Sequence, residues 1–430
     1  MSHLPRHVRQ VARVIHDAGF GVWIVGGALR DHFMGIPPKD WDVATTASPE
    51  DVVRLFPRVF PVGMRHGTVS VLAGRGVVEV TRLREADGRG SVFADLARRD
   101  FTVNALALDY PTGRLLDPFQ GRRDLRRGIL RAVGDPTERF REDPLRVLRA
   151  CRLVAQYGFR IERRTFLALR REVHGLQSVA PERIRDEIFK LILGKHVLEG
   201  FTCMHRGGVM EQILPELQGR RVNAEREHAG GGSCDSMALL AACPRCLNLR
   251  LAALFHQTGE RSESRGDREL EHGRGFYTES AAVACRVLQR WRASRRRMKE
   301  VTHILEHHFH EEFQQWDDEA IRRFLANIEL ERLEDILLFS RACFVTQGHK
   351  ARSRKAFDSF RWRVQGIVAS GELILPAQLA IDGEDVMEIL GIGPGPQVGA
   401  WLKKLHEKVL QNPCLNERKI LVDFLKKAGL

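Results

Sequence analysis

The chain has 430 residues, with 68 basic against 55 acidic side chains and a formal charge of +13. That length exceeds what one hydrophobic core serves, so several domains are expected, and no run approaches the roughly 18 apolar residues that span a bilayer. The basic excess is mostly arginine, whose planar fork suits phosphate oxygens and points to a polyanionic partner, while the eight cysteines are too scattered for a stapled secreted fold and read as reduced thiols.

Residues 1–13 carry charges where a secretory leader would need an apolar core, so a cytoplasmic location is expected. Val8, Val11, Ala12 and Ile15 then mark one face of a helix that stops at Gly19. A short strand, Val22 to Val25, enters Gly26-Gly27. A helical turn from Ala28 to Met34 closes at Gly35, and a second strand carries Asp40 to Ala44. Val69 to Leu72 and Val77 to Arg82 are further β-rich runs, so residues 20–135 form a small α/β unit on a sheet. From Asp143 onward the period becomes helical, opening with Leu145, Leu148, Leu153 and Val154, and no further strands are predicted. Domain boundaries are expected near 135, 225 and 355.

Gly26-Gly27-Ala28-Leu29-Arg30-Asp31 followed by Lys39-Asp40-Trp41-Asp42 is the sharpest local signal. Paired glycines let backbone N–H groups approach a triphosphate at a helix N-terminus, with Arg30 adding positive charge. Asp40 and Asp42 stand two apart on a strand, so both carboxylates leave one face and can share divalent ions, Mg2+ being expected. Glu79 is the best placed third acid, because an acid inside the apolar run Val77-Val78-Glu79-Val80 needs a partner. Alone, an Asp-x-Asp is more often a solvated turn. The glycines and Arg30 reverse that preference.

The block from Gly26 to Asp42 resembles the first motif of class II tRNA nucleotidyltransferases and bacterial poly(A) polymerases, members of the polymerase β-like superfamily. Arg98-Arg99-Asp100-Phe101-Thr102-Val103-Asn104 is similar to their second motif. Glu142-Asp143-Pro144-Leu145-Arg146, with Arg149, resembles their nucleotide-selecting motif, and Pro181 to Glu187 a structural helix of the same family. The resemblance implies an α+β protein: a nucleotidyltransferase head with a small mixed or antiparallel sheet (1–135), then an all-helical neck (136–225), body (226–355) and tRNA-binding tail (356–430). It also implies two-metal nucleotidyl transfer to the tRNA 3′ end from CTP and possibly ATP, with release of pyrophosphate.

Within that implied site, Asp100, Thr102 and Asn104 offer short polar groups suited to a ribose hydroxyl. Asp143 and Arg146, taken as neighbours on one helical face, can read cytosine, Asp accepting from N4 and Arg donating to N3 or O2. The stretch from Glu85 to Ala94 is short where family members that add all of CCA carry a flexible loop. CC addition is therefore ranked first, full CCA addition second and poly(A) addition third, the last because Gly63-Met64-Arg65-His66-Gly67 is closer to the tRNA enzymes. A catalytically silent RNA-binding protein is the reading from a different class.

Farther along, His256-Gln257 stands where related enzymes carry the His-Asp pair of a phosphohydrolase, and the amide argues for a degenerate remnant. Cys243 and Cys246 lack a second pair at zinc-site spacing. His303, His307, His308 and His310 are expected on a solvated or RNA-facing helix. Arg286, Arg290, Arg292, Arg295, Arg296, Arg297 and Lys299, with Lys403-Lys404 and Lys426-Lys427, are expected to meet the tRNA acceptor arm and elbow.

Overall fold

The computed structural model describes residues 4–38, 40–61, 64, 67–74, 76–83, 91–217, 236–259, 274–309, 311–346 and 352–428. The chain divides into two compact units, Met1–Val222 and Asn223–Leu430.

In the first unit the expected stripe Val8, Val11, Ala12 and Ile15 forms the buried face of the helix Arg6–Asp17. That face packs on a sheet of seven strands: β1 (Val22–Val25), β2 (Trp41–Thr45), β3 (Val59–Phe60), β4 (Thr68–Ala73), β5 (Gly76–Arg82), β6 (Ala107–Tyr110) and β7 (Leu115–Leu116). Their spatial order is β3-β4-β5-β2-β1-β6-β7, and every neighbouring pair is antiparallel except β2 with β5. The expected small mixed sheet is therefore present. Side chains alternate along a strand, so Val43, Val78 and Val80 enter the core beneath the helix. Asp42 and Glu79, direct partners across the parallel pair, leave by the opposite face.

The second motif follows the sheet into a single tight turn, Thr102–Asn104. A helix, Gly121–Arg127, begins against it. A Cβ added at Gly121 would lie 2.0 Å from the Thr102 carbonyl oxygen, so only glycine allows the two backbones to meet. Beyond, the helix Leu145–Tyr157 buries Leu145, Leu148, Leu153 and Val154 and ends at Gly158 in the left-handed conformation. Strands do not stop at residue 143 as expected: Arg160–Ile161 pairs in parallel with Ile129–Leu130. Two residues are too few to show a period of two, which is why the pattern hid this ladder.

The second unit is helical or irregular throughout its described residues. One apolar cluster gathers Phe313, Ile336, Phe344, Phe357, Phe360 and Val364, and another Ile381, Val386, Leu405, Val409, Leu421 and Leu425. The boundary expected at 355 falls inside the helix Arg352–Ser370, whose Phe357 and Phe360 belong to the first cluster. The histidine group is not a solvated face either. His308 is buried and His303 is half-buried, its Nε2 accepting from the Glu329 N–H at 3.3 Å, while His310 lies outside the described residues. Burial is the first cause pushing His303 down to about 4, with the neighbouring His307 the second. No helix among the described residues is long and apolar enough to cross a membrane.

Gly121→Ala is expected to cost about 3 kcal/mol or more, because the added methyl meets rigid backbone. A urea midpoint within error of the parent protein's would contradict that contact.

Candidate active site

The site begins with Gly26, at φ 81° and ψ −150°, a conformation open to glycine and strained for other residues. A Cβ there would lie 2.8 Å from Asp42 Oδ2 and 3.1 Å from Arg99 Nη1. The turn after β1 thus brings backbone directly against a carboxylate and a guanidinium. Asp42 itself is pushed up to about 6 from an ordinary 3.8. Burial is the largest cause, the charges of Glu79 and Asp40 add to it, and Arg99 opposes it.

Asp40 lies in a bend one residue ahead of β2 and is exposed. Glu79 is also exposed, on the face away from Val78 and Val80, so the reasoning that it is an acid stranded among apolar neighbours does not hold. What singles it out is register, opposite Asp42. With Asp42 half-buried and both Glu79 and Asp40 near enough to act on it, ionised Asp42 costs roughly 3 kcal/mol, taking 1.36 kcal/mol per unit between 3.8 and about 6. A divalent cation is the counter-charge that fits this donor set.

Across from these acids the second and third motifs meet at Asp100. Its Oδ1 accepts from the Phe101 N–H at 2.8 Å and from Asn104 Nδ2 at 2.9 Å, and its Oδ2 from Arg149 Nε and Nη2 at 2.9 and 2.7 Å. Burial alone would raise this carboxyl, but Arg149, Asn104 and the backbone donor together outweigh it and hold the group below the usual range. With both oxygens doubly engaged, Asp100 works as a hub for its neighbours, and the expected ribose contact is not its present role. Asn104 passes the linkage on, its Oδ1 accepting from Arg30 Nη1 at 2.7 Å.

Arg30 is buried and clamped. It donates to Asp31 Oδ1 from Nε and Nη2 at 2.9 and 2.8 Å and to the Tyr157 hydroxyl at 2.7 Å, with its guanidinium 4.5 Å from the Tyr157 ring centre. It is thus a bracket between motifs, its charge shared with Asp31. Thr102 departs from expectation as well, donating in the core to Asp124 Oδ2 at 2.8 Å.

These groups surround a cavity of about 430 Å³ lined by Gly26, Gly27, Arg30, Asp42, Arg99, Asp100, Asn104, Asp143, Arg146 and Arg149. Asp40 and Glu79 are not among its walls. Arg152, Glu187 and Lys190 are, and the sequence reading missed them. Arg152 lies three residues beyond Arg149 on the same helix and pairs with buried Glu187 at 2.6 Å. That i,i+3 spacing was a usable signal; the Glu187 contact depends on helix packing. Asp143 and Arg146 share the cavity, and the Arg146 N–H donates to the Asp143 carbonyl at 3.0 Å, but their side chains do not pair with each other. Asp143 is extended ahead of Pro144, accepts from the Leu145 N–H at 3.3 Å and pairs with Arg183 at 2.9 Å. Arg146 instead holds Glu142 at 2.9 Å and the carbonyls of Arg139 and Arg98 at 3.0 and 2.9 Å.

A larger cavity, about 830 Å³, lies in the second unit among Asn248, Arg296, Arg297, Glu300, Glu329 and Arg332. Its charges pair with one another, Arg296 with Glu300 and Arg332 with Glu329, and it carries no strand-borne acid cluster. The smaller cavity beside Asp42 is therefore the candidate site.

A strand-borne aspartate lining an arginine-rich cavity, with a glutamate opposite it in register, is an arrangement suited to a nucleotidyltransferase head. Residues 22–131 match the family model described as Poly A polymerase head domain, and 158–219 that of a probable RNA and SrmB-binding site of polymerase A. Residues 277–425 match tRNA nucleotidyltransferase domain 2. The chain is similar to the CCA-adding enzyme of Lactococcus lactis subsp. lactis, 31% identical over 449 residues with 99% of each chain covered. The CCA-adding enzyme of Levilactobacillus brevis is 30% identical over 444 residues, with 98% of each covered. Among solved structures, the Bacillus stearothermophilus CCA-adding enzyme in complex with CTP matches at a TM-score of 0.74 and 27% identity, covering 99% of this chain and 97% of that one. The Thermotoga maritima CCA-adding enzyme complexed with tRNA shares the fold at a TM-score of 0.59 and 21% identity, with 99% and 96% covered. The chain belongs to the class II tRNA nucleotidyltransferase family.

Asp42→Asn is expected to stabilise the protein in EDTA by about 1–3 kcal/mol while abolishing nucleotide incorporation. The sign follows from a folded value above the unfolded one: ionisation penalises the folded state, a penalty absent below 3.8, growing up to about 6 and full above it. Thermal midpoints of parent and variant should therefore converge at low pH and separate at neutrality. Equal midpoints at pH 7 would contradict the crowded carboxylate.

Proposed function

We propose that the protein completes the 3′ end of tRNA by adding C, C and then A from CTP and ATP, with Mg2+ held by Asp40 and Asp42 and with Glu79 close by. The observation that carries this reading is the pairing of Asp42 with Glu79 across β2 and β5, Asp42 itself lining a cavity walled by both arginine motifs. Support for all three additions comes from the CCA-adding relatives, which this chain matches over nearly its whole length.

Bound divalent ions supply activation of the attacking hydroxyl and charge neutralisation on the departing pyrophosphate. The chain's own side chains do the rest. Arg99, Arg149 and Lys190, all lining the cavity, present positive charge to the nucleotide phosphates. Asp143 and Arg146 read the base. To do so Asp143 exchanges Arg183, and Arg146 exchanges Glu142, for the cytosine edge; both partner pairs are exposed enough for water to assist. Uracil would set an acceptor against the Asp143 carboxylate, costing about 1–3 kcal/mol. The basic helices of the second unit supply salt-sensitive contacts to the tRNA backbone.

Addition of CC alone is the second reading. It rests on the short connection from β5 to the helix Val92–Ala97, of which residues 84–90 lie outside the described residues.

The test is a tRNA transcript ending at its discriminator base, incubated with magnesium and labelled CTP, then with ATP as well. Two additions with CTP and a third with ATP are expected. A halt after two supports the second reading, and ladders of A on unrelated RNA contradict both. Arg146→Ala is expected to lower discrimination between CTP and UTP by about tenfold or more, read as the ratio of kcat/KM values.

A further inference from the structure

Three helices of the second unit bring together a group of side chains that nucleotidyl transfer does not use. His256 follows the helix Leu247–Phe255, His308 follows Arg295–His307, and Cys343 lies within Leu333–Thr346. We propose that His256, His308 and Cys343 bind one zinc-class divalent ion, a site chemically separate from the acids around Asp42.

The distances come close to those of shared coordination. His256 Nε2 and His308 Nε2 are 3.0 Å apart, Cys343 Sγ is 3.8 Å from His256 Nε2, and the three ligand atoms all lie within 4.8 Å of one another. Tetrahedral bonds of about 2.0–2.3 Å would set two nitrogens about 3.3 Å apart and a nitrogen and a sulfur about 3.6 Å apart, values the measured pair brackets. A hydrogen bond between the two imidazoles would account for the first distance. A weak thiol–imidazole hydrogen bond would account for the second taken alone, and it is the convergence of all three donors in one buried place that points to a cation.

The surroundings agree with a cation. His308 Nδ1 lies 2.8 Å from the Leu305 carbonyl oxygen, to which it must donate, so Nε2 turns its lone pair toward the cluster. Fixing the tautomer through the second ring nitrogen is the usual support for a metal-binding histidine. His256 and His308 each directly follow a helix C-terminus, where the last carbonyls carry partial negative charge. All three residues are buried, and no carboxylate belongs to the group. Two imidazoles and a thiolate select Zn2+ or Co2+ over Mg2+. Binding forms an S–metal bond and releases the Cys343 thiol proton to solvent. The ion would then tie three helices together, and Gln257, in the place of the hydrolase aspartate, has no part in it.

The experiment uses the full-length protein, stripped with chelator and reloaded with Zn2+ or Co2+. About one zinc per chain is expected after gel filtration, along with a near-ultraviolet thiolate-to-cobalt band in the Co2+ form and a thermal midpoint that rises on adding zinc. Cys246→Ser should keep all three. Cys343→Ser should lose the band and the thermal response. Cys343→His should keep zinc and the rising thermal midpoint without the band, and that midpoint is a result that an unfolded chain cannot give. No bound zinc and no band in the unaltered protein, or a band that survives in Cys343→Ser, would overturn the proposal.

Discussion

A carboxylate held where it does not want to be ionised is the constraint around which the first unit is organised. Asp42 is drawn out of water by β2, faced by Glu79 across the parallel pair, and approached by Gly26 so closely that no side chain fits between them. The fold itself does not need this crowding, since the core on the other face of the sheet is complete without it. Stability is given up at one residue so that the same residue has a high affinity for positive charge.

The opposite wall solves the reverse problem. Asp100 is more deeply buried than Asp42, yet it stays ionised because four donors converge on it. Through Asn104 and Arg30 the hub reaches Asp31 and Tyr157, so residues far apart in sequence are fixed by one chain of hydrogen bonds. A half-buried and a fully buried aspartate in one cavity therefore differ in behaviour chiefly through their partners. One is saturated by the protein and positions other groups, and the other is left short of positive charge.

Much of this was legible in the sequence. The helix stripe at Val8 to Ile15, the strands entering Gly26 and Asp42, and ten residues of the cavity follow from period, spacing and motif. Glu79 was singled out as a stranded acid, yet it is exposed; what sets it opposite Asp42 is strand register, which cannot be read from one strand. Treating Asp143 and Arg146 as neighbours on a helix was an avoidable error: the residue before a proline is pushed toward extended conformations, so Asp143 belongs ahead of the helix. Glu187 and the burial of His308 were not readable at all, since both depend on how distant helices pack. The neck's two-residue ladder was too short to carry a period.

The most direct measurement is a crystal structure of the protein soaked with Mn2+ and a non-hydrolysable CTP analogue, using manganese anomalous scattering to locate the ions. The account predicts manganese against Asp42 and Asp40, with the cytosine edge on Asp143 and Arg146 and both freed from Arg183 and Glu142. Manganese bound elsewhere, or a base turned away from Asp143 and Arg146 while they keep their protein partners, would contradict it.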